Sequence, residues 1–237
     1  MWPVNLSRTA YAQALTALPA EQIAGYLSAN SNLPGPRGNL TLLDAAGDVL
    51  PEQAALQLAD DADEFLACAG VVTLGRLLVE RPGDPALTNL LTLRAADARW
   101  RVREAVAIAA QRVGDADQPQ FRALVAGWAA SSDPLVARAG IAAVCEPRLL
   151  ADPLTAAAAL DACAQATATL QGFSTAQRRS ENVRTLRQGL GYCWSVAVAG
   201  APEAGLPRFF ALDATDPDVA WVIKSNRGKQ RLTRLLG

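Results

Sequence analysis

Apolar residues recur at helical spacing along nearly the whole chain. Near the N-terminus Tyr11, Leu15 and Leu18 are three or four positions apart, which places them on one face of a helix. No segment of any length alternates apolar and polar residues with the period of two that a half-buried strand requires. The pattern therefore predicts an all-α protein.

Helix-start signals divide the chain into elements. Asn39 is placed to cap a helix, and Ser174 with Gln177 forms a capping-box pattern that predicts a helix reaching toward Val198. Three further starts pair a capping aspartate with a first-turn proline, at Asp133-Pro134, Asp152-Pro153 and Asp216-Pro217.

A short pattern recurs near several of these starts. The segment Ala98–Val106 is similar to Ser132–Ile141 and to Thr215–Val222, and weaker copies begin near Glu64 and Glu181. Its apolar anchors are spaced by 36, 34, 47 and 36 residues, a length typical of a two-helix unit. The anchors are Leu66, Val102, Val136, Val183 and Val219, and we expect Val102, Val136 and Val219 to be buried on equivalent helix faces. The longer interval indicates an insertion near residues 156–173.

The Asp-Pro-x-Val pattern, followed by small residues and a nearby arginine, resembles the second helix of HEAT repeats over roughly residues 60–235. The resemblance implies an α-α superhelix, a HEAT-like solenoid of about five helix pairs with a concave, ligand-facing inner row. We expect residues 1–60 to form N-terminal helices packed on repeats at 61–237, in one continuous domain. A bundle of antiparallel helices is the alternative, since it needs the same periodicity without a repeat.

Composition removes several classes of chemistry. The chain has no histidine, which excludes Ser-His-Asp and Cys-His catalysis and histidine metal sites. Its four cysteines form no CxxC pair, so we expect buried thiols and no metal or cofactor. The first residues do not read as a signal peptide, and no uncharged stretch is long enough to span a bilayer. These features predict a soluble, cytoplasmic protein without a membrane partner.

The first candidate site is the arginine-rich segment Arg99-Trp100-Arg101-Val102-Arg103-Glu104. Trp100 and Glu104 are neighbours one helical turn apart, as are Arg99 and Arg103. The bland interpretation is a solvated helix surface; the sharper one is a site with a stackable indole, a carboxylate and phosphate-binding guanidinium groups.

The same segment looks like the helix starts of HEAT-like bacterial DNA glycosylases of the alkylation-repair class. That resemblance implies that Trp100 and Glu104 hold a cationic base, with Trp128, Trp194 or Trp221 as a second aromatic wall. The family usually presents aspartate where this chain has glutamate.

The second candidate is the basic C-terminal part. Residues 171–237 carry ten basic side chains against five acids, whereas residues 1–70 carry two against eight. Arg227, Arg231 and Arg234 are spaced as a stripe on one helix, suited to a phosphate backbone or to a solvated capping helix. The other members are Arg178, Arg179, Arg184, Arg187, Lys224 and Lys229.

The third candidate is the loop Leu33-Pro-Gly-Pro-Arg-Gly-Asn-Leu40. Arg37 beside the capping Asn39 at a helix N-terminus would make an anion or carboxylate site, unless the loop is an ordinary connector. It lacks the lysine and hydroxyl of a P-loop.

Together these features predict a binding or adaptor protein whose partner is a protein or a nucleic acid. The alternatives are a DNA glycosylase-like enzyme acting on alkylated bases, and a regulatory subunit that docks through the Pro-Gly-Pro loop.

Overall fold

The structure, a computed structural model, describes residues 6–236. Within that range all regular secondary structure is helical, with fourteen α-helices, two short 3₁₀ turns and no strand, so the predicted all-α class is confirmed. No described helix combines the length and apolar character needed to cross a membrane. Residues 1–5, on which the signal-peptide expectation bears, lie outside the described residues.

The chain divides into two compact units, residues 1–113 and 114–237. The helices that begin in the first unit are α1 (Arg8–Ala17), α2 (Ala20–Ala29), α3 (Leu40–Val49), α4 (Glu52–Leu58), α5 (Glu64–Glu80), α6 (Pro85–Ala95) and α7 (Trp100–Ala116). The central helix of this unit is α5, which packs against α2, α3, α4 and α6, while α1 packs against α3. The boundary between the units falls inside α7.

The helices that begin in the second unit are α8 (Gln118–Ala129), α9 (Pro134–Val144), α10 (Pro153–Gly172), α11 (Glu181–Gly200), α12 (Pro202–Phe210), α13 (Pro217–Arg227) and α14 (Gln230–Leu236). The central helix of this unit is α11, which packs against α9, α10, α12, α13 and α14. In addition, α8 packs against α9 and α10. The 3₁₀ turns are Leu149–Ala151 and Gln177–Arg179.

The predicted helix starts are mostly confirmed, with one correction. The carboxylates of Asp133, Asp152 and Asp216 accept hydrogen bonds from the first-turn amides of α9, α10 and α13. Ser174 and Gln177 do exchange capping-box bonds of 2.9 and 3.4 Å, but they head only a single 3₁₀ turn. The long helix begins later, at a start capped by Ser180.

The five repeat anchors occupy the same position in five helices. Each is the third residue of its helix, in α5, α7, α9, α11 and α13 in turn. The predicted burial of Val102, Val136 and Val219 is confirmed, since these side chains are 0%, 7% and 0% exposed. The recurrence in the sequence therefore marks a recurrent packing position.

Small residues bring some of these helices unusually close. A Cβ built on Gly140 of α9 would lie 2.8 Å from the backbone nitrogen of Ala129 in α8, closer than any real Cβ approaches such an atom. Because the obstacle is backbone and not a flexible side chain, the α8–α9 contact requires glycine at this position.

The long repeat interval is explained by α10, which has 20 residues and lies between Val136 and Val183 together with both 3₁₀ turns.

The helix α11 also differs from the other anchor-bearing helices of its unit. It has 20 residues, whereas α9 and α13 have 11 each. At 1.5 Å per residue, α11 is about 30 Å long and its two neighbours are about 17 Å. The C-terminal turns of α11 therefore extend beyond the ends of α9 and α13.

Candidate functional site

The Pro-Gly-Pro loop is fastened at its C-terminal end by Asn39. The Oδ1 atom of Asn39 accepts from the Leu42 amide at 3.0 Å, as the sequence predicted for a cap. Its Nδ2 group donates to the Tyr11 hydroxyl and to the Asn30 carbonyl, both at 2.9 Å. The buried amide of Asn39 thus already has partners on both sides, whereas the Arg37 side chain is exposed. An anion site here stays a prediction that depends on Arg37.

Arg101 joins this loop to the start of α7. Its guanidinium donates to Glu64 Oε2 at 2.8 Å and to the Gly35 carbonyl at 3.0 Å, and lies 4.7 Å from the centroid of the Trp100 ring. The structure therefore brings together two candidate sites that are more than sixty residues apart in sequence. A pocket of about 450 Å³ lies beside this junction, lined by the loop, Arg101 and the first turn of α5.

Arg99 and Arg103 also have partners in the same unit. Arg99 donates to both carboxylate oxygens of Asp97 at 2.9 Å and to the carbonyls of Asp61 and Ala62 at 2.8 and 3.1 Å. The hydrogen bond from Arg99 lowers the pKa of Asp97, whose side chain is only 8% exposed. Arg103 donates to two backbone carbonyls, those of Asp97 and Ala98. These arginines tie loops together within the protein.

Trp100 and Glu104, the residues of the glycosylase interpretation, differ in exposure. The Trp100 side chain is 54% exposed and so belongs to the surface, not to the helix core. Glu104, one turn later on α7, is half-buried. Of the tryptophans expected to supply a second wall, Trp128 and Trp194 are buried core residues, so that expectation was wrong for both.

In the second unit, two of the predicted basic residues are structural. Arg178 donates to the Asp216 carboxylate at 2.9 Å and to the carbonyls of Phe173 and Gln171 at 2.9 and 2.7 Å. Arg187 donates to Asp218 at 2.7 Å. Both therefore anchor the start of α13. Arg178 and Arg179 lie on the second 3₁₀ turn rather than on one helix with Arg184 and Arg187, which corrects the single helix predicted from the Ser174 cap.

Two aromatic rings on the surface of this unit make cation–π contacts with basic side chains. The Trp221 ring, in a residue that is 38% exposed, lies 4.8 Å below the Arg187 guanidinium and packs on Gly191. Tyr192 is 44% exposed and has Arg231 at 4.6 Å and Lys229 at 5.7 Å from its ring centroid. Cation–π contacts of this kind hold rings and charges in fixed positions at a surface.

Seven cationic side chains of residues 171–236 make no ion pair with any described carboxylate. The ion pairs in this region use only Arg178, Arg187 and Arg208. The predicted helical stripe is broken, because Arg227 ends α13 whereas Arg231 and Arg234 lie on α14. We call the seven residues the unpaired cations: Arg179, Arg184, Lys224, Arg227, Lys229, Arg231 and Arg234.

Tyr192 is the functional candidate that sequence reasoning missed. It follows a glycine inside a long helix, and its partner Arg231 is 39 residues away. No local spacing signals a contact over that distance.

The four cysteines are buried, as expected. Burial raises the pKa of Cys68 to about 12 and raises those of Cys145 and Cys163, whose sulfur atoms are 3.8 Å apart. No cluster of three or more metal-ligating side chains occurs among the residues that the structure describes.

Comparisons with known proteins add little. No protein-family model matches the chain, and no curated protein matches it. A crystal structure titled as an engineered protein aligns over 93% of this chain and 96% of its own, with 12% identity and a TM-score of 0.37. A likeness this weak does not establish a common fold.

Proposed function

We propose that the chain is a HEAT-like helical-repeat protein that binds nucleic acid through the surface formed by α11, α13 and α14. The repeat is supported by the five buried anchors, each the third residue of its helix, and by the contacts of α9 with α11 and of α11 with α13. About five helix pairs follow, from α4–α5 to α12–α13.

One observation carries the choice of partner. Two of the unpaired cations, Arg231 and Lys229, lie against the exposed Tyr192 ring. Two more, Lys224 and Arg227, are on α13 with the exposed Trp221. The seven unpaired cations outnumber the acids of residues 171–236 that make no ion pair, which are Glu181, Glu203 and Asp213. Unneutralised cations gain free energy from a phosphate backbone by releasing its counterions, and exposed rings offer faces on which unpaired bases stack. A protein partner would need neither feature.

The test is binding to duplex and single-stranded oligonucleotides over a salt series. For a duplex, the slope of log K against log salt falls by roughly 0.9 for each phosphate contact removed. We expect the double variant Lys224→Gln/Arg227→Gln to show a smaller slope and weaker binding to both substrates. Arg208→Gln is the matched control, since it removes an exposed arginine of the same unit that already pairs with Asp161.

Trp221→Ala separates the aromatic contribution. A stacked base contributes about 1–3 kcal/mol, so this variant is expected to weaken single-strand binding more than duplex binding. Salt-independent binding, or equal affinity in the double variant and in the parent, contradicts the proposal and favours the adaptor with a protein partner.

A glycosylase-like enzyme is the second candidate, because the Trp100 ring lies at the surface. Its test is release of alkylated bases by the parent protein and by Trp100→Ala and Glu104→Gln. If the parent releases none, this candidate fails.

A further inference from the structure

A pocket of about 410 Å³ lies on the second unit, over the C-terminal turns of α11. Val196, Ala199 and Gly200 form one side, and the segment that follows α9, with Pro147, Leu150 and Ala151, forms the other. Arg231 of α14 completes the lining and is its one charged member. The volume is within the range of small-molecule pockets, about 300–1,000 Å³.

The pocket exists because α11 is longer than α9 and α13, the helices on either side of it in the repeat. The backbone amide of Ser195 donates a hydrogen bond to the Asn226 side chain, near the end of α13, at 2.8 Å. The Cys145 thiol, just after α9, donates to the Cys193 carbonyl at 3.5 Å. Residues 196–200 of α11 extend beyond these two hydrogen bonds, and the segments that continue from α9 and α13 fold over them. The closure is tight at Gly200, where a Cβ would lie 2.9 Å from the Cδ1 atom and 3.1 Å from the Cβ atom of Leu150.

Arg231 has no counter-ion among the described residues. Its Nη2 group donates to the Tyr192 hydroxyl at 2.9 Å, and its guanidinium stacks on the Tyr192 ring. Its Nη1 group is buried and has no hydrogen-bond partner. A partly desolvated guanidinium beside apolar walls is costly unless an anion neutralises it.

A second cation strengthens the case for an anion. Lys229 lies 5.7 Å from the centroid of the Tyr192 ring on which Arg231 stacks and also lacks an ion pair, so a second positive charge shares that ring with the charged member of the lining. The two acids that flank the lining segment already have partners, since Glu146 pairs with Arg148 at 3.3 Å and Asp152 with Arg122 at 2.9 Å. The local field therefore favours anions and disfavours cations.

From this combination we propose that the pocket binds a small organic carboxylate with an apolar body, its carboxylate facing Arg231 and its apolar part on Val196, Ala199 and Leu150. The lining requires both halves of such a ligand. A bare anion leaves the apolar walls in contact with water, and a neutral apolar molecule leaves the guanidinium without a counter-ion. The proposal does not depend on nucleic-acid binding.

The experiment uses four probes on the full chain by titration calorimetry: octanoate, octanol, octylammonium and acetate. We expect octanoate to bind more tightly than each of the other three. Arg231→Gln is expected to weaken octanoate binding about tenfold or more, the equivalent of a charge-assisted hydrogen bond of about 1.5–3 kcal/mol. Arg234→Gln is the matched control, an exposed arginine on the same helix that does not line the pocket.

A second variant tests the pocket without touching the charge. Ala199→Leu fills the space with a larger side chain on an exposed position of α11 and is expected to abolish octanoate binding while leaving the unfolding temperature unchanged. The proposal is overturned if octanoate fails to bind the parent, if octanol binds as well as octanoate, or if both Arg231→Gln and Ala199→Leu bind like the parent.

Discussion

The arginines at the start of α7 and those around α11, α13 and α14 have opposite surroundings. Arg99, Arg101 and Arg103 donate to carboxylates or backbone carbonyls of their own unit. Of the ten basic residues after position 171, seven make no ion pair with a described carboxylate. Acids are abundant in the N-terminal part and sparse in the C-terminal part. The local supply of acceptors decides whether an arginine stabilises the fold or remains available to a partner.

The strongest test of this contrast is Arg99→Ala against Arg184→Ala. Arg99→Ala removes the guanidinium that donates to both oxygens of Asp97 and to two backbone carbonyls, so we expect a loss of about 3 kcal/mol in the free energy of unfolding. Arg184 is exposed and makes no ion pair, so its loss is expected to cost less than about 0.5 kcal/mol. Urea denaturation followed by circular dichroism measures both. Equal losses of unfolding free energy in the two variants would contradict the contrast between paired and unpaired arginines.

Arg178→Ala tests whether pairing or location matters. Arg178 lies in the basic region, yet it bonds Asp216 and two carbonyls as Arg99 does in the other unit. We expect a loss of about 2 kcal/mol in stability. Its neighbour Arg179 is exposed and is the control. If Arg178→Ala is as stable as Arg179→Ala, the hydrogen bonds of Arg178 do not contribute to stability.

The pH dependence of the unfolding free energy tests whether the ionised Asp97 carboxylate stabilises the fold through its contact with Arg99. Because its pKa is lower in the folded state, Asp97 contributes stability that is fully present above its unfolded pKa, about 3.9, and is lost as the pH falls through the folded value. Asp97→Asn is therefore expected to be less stable than the parent at neutral pH, with the difference shrinking below about pH 4. Thermal unfolding of both proteins from pH 7 to pH 3 measures it. A difference that is constant with pH would contradict the ionic pairing.

The smallest expected effect is that of Trp100→Ala. Since more than half of this side chain is exposed, its removal is expected to cost about 1 kcal/mol or less, against about 3–5 kcal/mol for a buried tryptophan. Trp194→Ala, in a fully buried residue that donates to Thr167, supplies the comparison in the same assay. A loss at Trp100 as large as that at Trp194 would assign it to the core.

Much of the fold is predictable because its signals are local. Helical periodicity, the Asp-Pro caps and the burial of Val102, Val136 and Val219 depend on neighbours a few residues away, and the structure bears them out. The break between Arg227 and Arg231 was missed although Gly228 lies between them, because the regular spacing of the arginines suggested one helix.

The candidate sites were less predictable because they depend on distant partners. Three arginines near Trp100 form a basic cluster in the sequence, but Asp97, Glu64 and the Gly35 carbonyl neutralise or occupy them in the fold. Conversely, nothing local joins Tyr192 to Arg231. Which charges pair is a property of tertiary structure, and spacing along the chain does not report it.

The extra length of α11 also places two kinds of position side by side. Val196, Ala197 and Val198 are buried, and a Cβ on Gly205 of α12 would lie 2.8 Å from the Val198 backbone, so this turn is held as tightly as the α8–α9 contact at Gly140. Ala199 follows directly, lines the cavity and is exposed. Substitutions at Ala199 therefore change the shape of the cavity without disturbing the buried turn, which makes this position the place where new ligand preferences arise at least expense to stability.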